Sequence, residues 1–305
     1  MKSMKYLSII LVALCLFSCK NNHEETGKLN IVTTTTMITD LVQNIGGDLI
    51  ELNGLMGAGV DPHLYKASEG DVTKLYNADI IFYNGLHLEG KLVEVFEKME
   101  SSNKIQVPLA DGLDTSTLIG SEYFASNYDP HVWFDIEYFK QFSSKVAQVL
   151  SENDTENSAL YAENLKVYLD KLDALQKEIR ATIASLPVEK RILVTAHDAF
   201  NYFGKAYDFE VVGLQGLSTA TEAGVQDVQR LSSFIIDNKV KAIFVESSVP
   251  RRTIEALQQA VKSKGHDVTI GGSLYSDALG NYGTIEGTYI GMFKYNVNTI
   301  VNELK

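Results

Sequence analysis

The chain has 305 residues, 45% of them hydrophobic and 22% charged, with a formal net charge of −12 at pH 7. That length accommodates two domains, each with its own core. The acidic balance and the lack of a basic patch disfavour nucleic acid as a partner, and the only cysteines, Cys15 and Cys19, leave the rest of the chain without a disulfide.

In chain order, the basic opening MKSMK precedes the apolar run YLSIILVALCLFS, and Cys19 follows at once. The run is short for a bilayer span and sits behind positive charge, so residues 1–18 read as an export signal. Its end, LFSC, resembles a bacterial lipobox, which implies lipidation at Cys19. Residues 19–27 are polar and read as a tether that holds the folded part off a membrane, with His23 a solvated linker residue.

Over 28–155 the segments LNIVTT, IELNGLM, ADIIFYNG and IQVPLA read as strands, and MITDLVQNIGG as an amphipathic helix between the first two. Short apolar strands alternating with helices predict a parallel α/β sheet. Over 156–187 the chain has no glycine and no proline before Pro187. Leu165, Tyr168, Leu172, Leu175, Ile179, Ile183 and Leu186 recur there every three or four positions, giving one apolar helical face. At 1.5 Å per residue such a helix runs roughly 40 Å, long enough to bridge two lobes as a stiff strut. With no hinge residue inside it, lobe motion should be small and rearrangement local to His197 and Asp277. Over 188–305, RILVTAH, FEVVGL, KAIFVE and DVTIGG are strands, with helices at about 227–238 and 251–263. The fold class is α/β: two α/β lobes with central parallel sheets, joined by a long rigid backbone helix.

The tripeptide Asp-Pro-His occurs twice, at 61–63 and 129–131, in a chain with six histidines. Proline fixes its own φ and restricts the residue before it, so each motif holds a histidine in a stiff loop. His63 follows a strand of the first unit, His131 precedes a helix near Ile136, and His197 closes RILVTAH in the second unit. Ligands of open α/β sheets gather beyond the carboxyl ends of strands, so these three point to the cleft between lobes. A carboxylate would complete a site for a borderline divalent ion. Asp277, in GGSLYSDALG, is the best placed; Glu246 and Glu222 are rivals that read better as structural carboxylates. His87 is placed at the start of a helix as a capping or packing residue, and His266 on the surface.

Taken in order, GVDPHLY, NADIIFYNGLHLE, DPHVWFD, TAHDAFNYFGKAY, STATEAGVQDV, FVESSVP and LYSDALG carry a resemblance. The chain resembles the solute-binding proteins of bacterial ATP-binding-cassette importers for manganese and zinc, over essentially all of it beyond the tether. The resemblance implies His63, His131, His197 and Asp277 as metal ligands and one divalent transition-metal ion as cargo. It also implies a permease with its cytoplasmic ATPase as partner, a monomer, and membrane contact only through the lipid, at a periplasmic face or cell surface. Zinc-specific members often carry a histidine-rich loop before the second ligand; GLDTSTLIGSEYFASNY contains no histidine, which places Mn2+ ahead of Zn2+, with Fe2+ third. No HExxH motif is present, and ligands dispersed over two lobes suit capture and release rather than catalysis. The alternatives are a metal-dependent hydrolase with Glu246 or Glu222 as base, and a surface adhesin or structural lipoprotein.

Overall fold

Strand β1 (Leu29–Thr33) lies between β2 (Ile50–Gly54) and β3 (Ile80–Tyr83), and β4 (Ile105–Pro108) pairs with the far side of β3. All three pairings are parallel. The central strands bury Ile31, Val32, Ile80, Ile81 and Phe82 on both faces, which is why they read as continuous apolar runs. Edge strand β2 instead alternates buried and more exposed positions. This computed structural model describes residues 27–99 and 104–305; the expected signal, Cys19 and His23 lie outside the described residues.

Helix α1 (Thr36–Gly46) starts where the Thr35 hydroxyl accepts the Ile38 amide, and it buries Met37, Ile38, Leu41, Val42 and Ile45. Helix α2 (Glu69–Asn77) opens with a reciprocal Ser68–Asp71 capping box, and α3 (Val93–Met99) follows β3. No helix starts at His87. Leu86 and His87 have φ of 49° and 63°, a left-handed turn six residues before α3, so the sequence-based placement of His87 is corrected. Apolar periodicity does not register a sign change in φ.

Helix α4 (Ile136–Asn153) and the 26-residue α5 (Ser158–Ile183) form an antiparallel pair. On α5 the buried residues are Tyr161, Tyr168, Leu172, Leu175, Ile179 and Ile183, nearly the face expected from the sequence, with Leu165 only partly buried. That face packs on α1 and α4 of the first lobe and on the C-terminal helix of the second, so α5 does bridge both lobes.

The second lobe contains β5 (Ile192–His197) paired with β6 (Glu210–Gln215), and β7 (Ala242–Glu246) paired with β8 (Thr269–Leu274), both parallel. β5 packs beside β7, so the central sheet runs β6-β5-β7-β8 as two hydrogen-bonded halves. Around it lie α6 (Asn201–Tyr207), α7 (Val225–Asp237), α8 (Arg252–Ser263) and α9 (Tyr289–Leu304).

The lobes share a core. One buried cluster runs from Ile31 and Leu41 through α5 to Phe200, Phe244 and Phe293. Phe139 stacks on Tyr289 at 3.7 Å between centroids, and Phe134 lies 4.4 Å from Phe200. Polar ties cross at the same place. Trp133 Nε1 donates to the Ser276 carbonyl (3.1 Å), Tyr289 Oη to the Trp133 carbonyl (2.6 Å), and the Tyr289 amide to Asp40 Oδ2 (3.0 Å).

A shared core and an unbroken strut leave little freedom for wide closure. Solution scattering should give radii of gyration for metal-stripped and metal-loaded protein within about 1 Å of each other, and compaction by several ångströms would contradict the shared core. Leu172, fully buried on α5, should cost about 2–5 kcal/mol on replacement by alanine in denaturant unfolding.

Candidate metal centre

The two Asp-Pro-His loops use one local device. In each, the aspartate Oδ1 accepts the amide of the histidine two residues on, at 2.9 Å in both loops. With proline fixing φ between them, the side chain of the first residue sets the backbone of the third. In the second loop Asp129 goes further, because its Oδ1 also lies 2.7 Å from His131 Nδ1. Asp129 is anchored from the other lobe: Asn201 Nδ2 donates to its Oδ2 (3.0 Å) and Tyr202 Oη to its carbonyl (3.1 Å).

His197 is the last residue of β5, and Glu246 is the last residue of its neighbour β7. Glu246 Oε1 accepts the His197 amide at 2.9 Å, while Oε2 makes an ion-pair contact with Nδ1 at 2.6 Å. Thus both His131 and His197 have a carboxylate against Nδ1, the arrangement that turns Nε2 toward a metal. Asp277 follows β8; its Oδ2 accepts from Ser248 (3.1 Å), whereas its buried Oδ1 has no hydrogen-bond partner among the described residues.

The structure brings His63, His131, His197 and Asp277 together, each offering a ligand atom within 4.8 Å of the others. His63 Nε2 lies 3.2 Å from His131 Nε2, His197 Nε2 lies 3.3 Å from Asp277 Oδ2, and His131 Nε2 lies 3.7 Å from Asp277 Oδ1. A tetrahedral ion with bonds of about 2.0–2.2 Å separates its donors by about 3.3–3.6 Å, so these spacings fit one divalent cation. All four residues are at least 96% buried; His63, at 4% exposure, is the one nearest solvent. Beside it a cavity of about 260 Å³ is lined by His63, His87, Tyr123 and Phe124.

The charges are arranged for a cation. Burial alone would push the Asp277 carboxyl up, but His197, His63 and His131 around it outweigh that and hold it well below the usual carboxylate range. Burial pushes His63 down to about 3, so its imidazole is neutral. His197 is opposed by burial but flanked by Asp277 and Glu246, and those two carboxylates hold it well above its ordinary value.

Of the rival carboxylates, Glu246 lies behind His197 as an orienting group, and Glu222 is exposed, 3.5 Å from Arg252. His266, expected on the surface, is partly buried, and its Nε2 is buried. Asp129 and Ser248 were not singled out from the sequence. For Asp129 the signal was the repeated aspartate itself; for Ser248, one serine among many, there was none.

The flanking carboxylates favour a proton on His197 when no ion is present, and an ion bound through His197 would displace it. Calorimetry in buffers of different ionisation enthalpy should therefore show about one proton released per ion at pH 7, with apparent affinity rising about tenfold per pH unit. Binding with no proton release would contradict this charge arrangement.

Residues 31–303 match the family model described as zinc-uptake complex component A, periplasmic. The zinc-binding protein TroA of Treponema pallidum is 48% identical over 278 residues, covering 91% of this chain and 89% of the relative. The manganese-binding lipoprotein MntA of Bacillus subtilis is 46% identical, covering 91% of this chain and 90% of the relative. The solved structure of the treponemal protein superposes with a TM-score of 0.89 over 91% of this chain and 99% of that one. The chain belongs to this family of periplasmic metal-binding components of ATP-binding-cassette transporters.

Proposed function

We propose that the protein captures one divalent transition-metal ion, Mn2+ or Zn2+, between its lobes and delivers it to a permease driven by a cytoplasmic ATPase. His63 and His131 would hold the ion from the first lobe, His197 and Asp277 from the second. The protein would work as an exported lipoprotein anchored through Cys19. The observation that carries this reading is the convergence, from both lobes, of four buried donors at the separations one ion requires. The relatives named for zinc and for manganese binding support the class of cargo.

Hydrolysis is disfavoured by where the carboxylates lie. Glu246 backs His197 and Glu222 pairs with Arg252, so neither is placed as a base toward an ion among the four donors. Between the two ions, zinc binds nitrogen–oxygen sites more tightly whatever the cell uses. Affinity in vitro therefore does not identify the cargo.

His63→Ala or His197→Ala should weaken divalent-ion binding by at least about 100-fold in calorimetry on metal-stripped protein, with the fold retained. His266→Ala should bind as the parent does, and tight binding by the H63A/H197A double variant would refute the ligand assignment. Deleting the gene should lower cellular manganese under limitation, read by mass spectrometry; a selective fall in zinc would reassign the cargo and leave the ligands standing. Cys19→Ala should abolish acyl labelling and release the protein from the membrane fraction.

A further inference from the structure

Asp61 has two tasks, one for each oxygen. Oδ1 accepts the His63 amide at 2.9 Å, and Oδ2 accepts the hydroxyl of Thr219 at 2.5 Å. Thr219 belongs to the second lobe, so this carboxylate joins the backbone of a proposed ligand to a loop across the cleft. That loop, GLSTATEAG over 216–224, is bracketed by Gly216 and Gly224. Its roots are tied within its own lobe: the Asp198 amide donates to the Gly216 carbonyl, Gln215 Nε2 to the Thr221 carbonyl, and the Gly224 amide to Asp227 Oδ2. Its middle residues Ser218 and Ala220 line the cavity that His63 and Phe124 also line, beside the most exposed of the four donors. Thr219 itself is 8% exposed, enclosed between loop and cleft.

We propose that residues 216–224 form a lid over the His63 side of the cleft, latched by the Thr219–Asp61 hydrogen bond, and that lid release and loosening of His63 are a single event. While the hydroxyl holds Oδ2, the carboxylate cannot turn, and Oδ1 keeps the His63 amide in place. Once the hydroxyl leaves, Asp61 can rotate toward water, and the backbone that aims His63 loses its partner. An O–H donated to a carboxylate is among the stronger neutral-donor hydrogen bonds, so the latch is strong enough to hold the lid closed and weak enough to be opened by a docking partner. The device gives the rigid two-lobed frame a local exit for its cargo. Thr219 is a positioning residue here, acting on the ion only through Asp61 and His63.

This inference rests on His63 being a ligand, and the experiment separates the two. Protein loaded with Zn2+ is mixed with excess chromogenic chelator and the release followed by stopped flow. Thr219→Val should keep one ion per chain but release it about 10–100-fold faster, the range expected for losing a hydrogen bond to a charged group. Thr219→Ser, which restores the hydroxyl, should release at the parent rate. Release by Thr219→Val within about twofold of the parent, at full stoichiometry, overturns the latch and leaves the ligands intact; failure of the parent to bind Zn2+ overturns both. A measurement on the parent chain guards against a misfolded variant. Amide hydrogen exchange at 217–221 and at His63 should slow together on Zn2+ loading, and protection of His63 without protection of the loop overturns the proposal.

Discussion

An ionised carboxylate with 1% of its surface exposed is the constraint around which this molecule is arranged. Burial works against the charge on Asp277, and His197, which both hydrogen-bonds to it and carries the opposing charge, outweighs that penalty. Each imidazole must itself be held at the right angle, since a ring rotated away would no longer point its Nε2 into the cluster. Asp129 and Glu246 do this for His131 and His197, and the backbone grip of Asp61 does it for His63. A buried group of opposed charges with one unpartnered oxygen is costly when left alone and becomes favourable when a dication enters.

The frame follows from that demand for precise placement. Donors supplied by two lobes stay within ångströms of one another only if the lobes cannot drift. A common aromatic core, with Trp133 and Tyr289 bonded across it, ties the two lobes into one packed body. Helix α5 lies along both lobes and buries the same stripe throughout its length. Such a body has to exchange its cargo through a small moving part. The glycine-bracketed loop beside His63 is held across the gap by the Thr219–Asp61 hydrogen bond.

The family likeness is consistent with this physics but does not substitute for it. Relatives of nearly equal identity are named for different metals. Three imidazoles and one carboxylate can serve either ion, because Zn2+ imposes no geometry through its d-electrons and Mn2+ accepts mixed nitrogen and oxygen donors.

Much of this was written in local sequence. The strand runs, the seven-membered apolar stripe of the strut and the two Asp-Pro-His loops are short-range patterns, and periodicity or a fixed φ is enough to read them. His63, His131, His197 and Asp277 were legible as candidates because strand ends and glycine-flanked loops mark where α/β folds place ligands. Other features depended on packing between distant segments. Glu246 and Glu222 look alike in sequence; only the placement of β7 beside β5 put one against His197 and left the other at the surface. The left-handed turn at His87, the second sheet in two halves, and the crossing of Asp61 to Thr219 likewise carry no local signature. Sequence determined which residues could make the site, since their chemistry and loop stiffness are local properties; tertiary structure decided which carboxylate orients which ring, since that is set by distances between segments far apart in the chain.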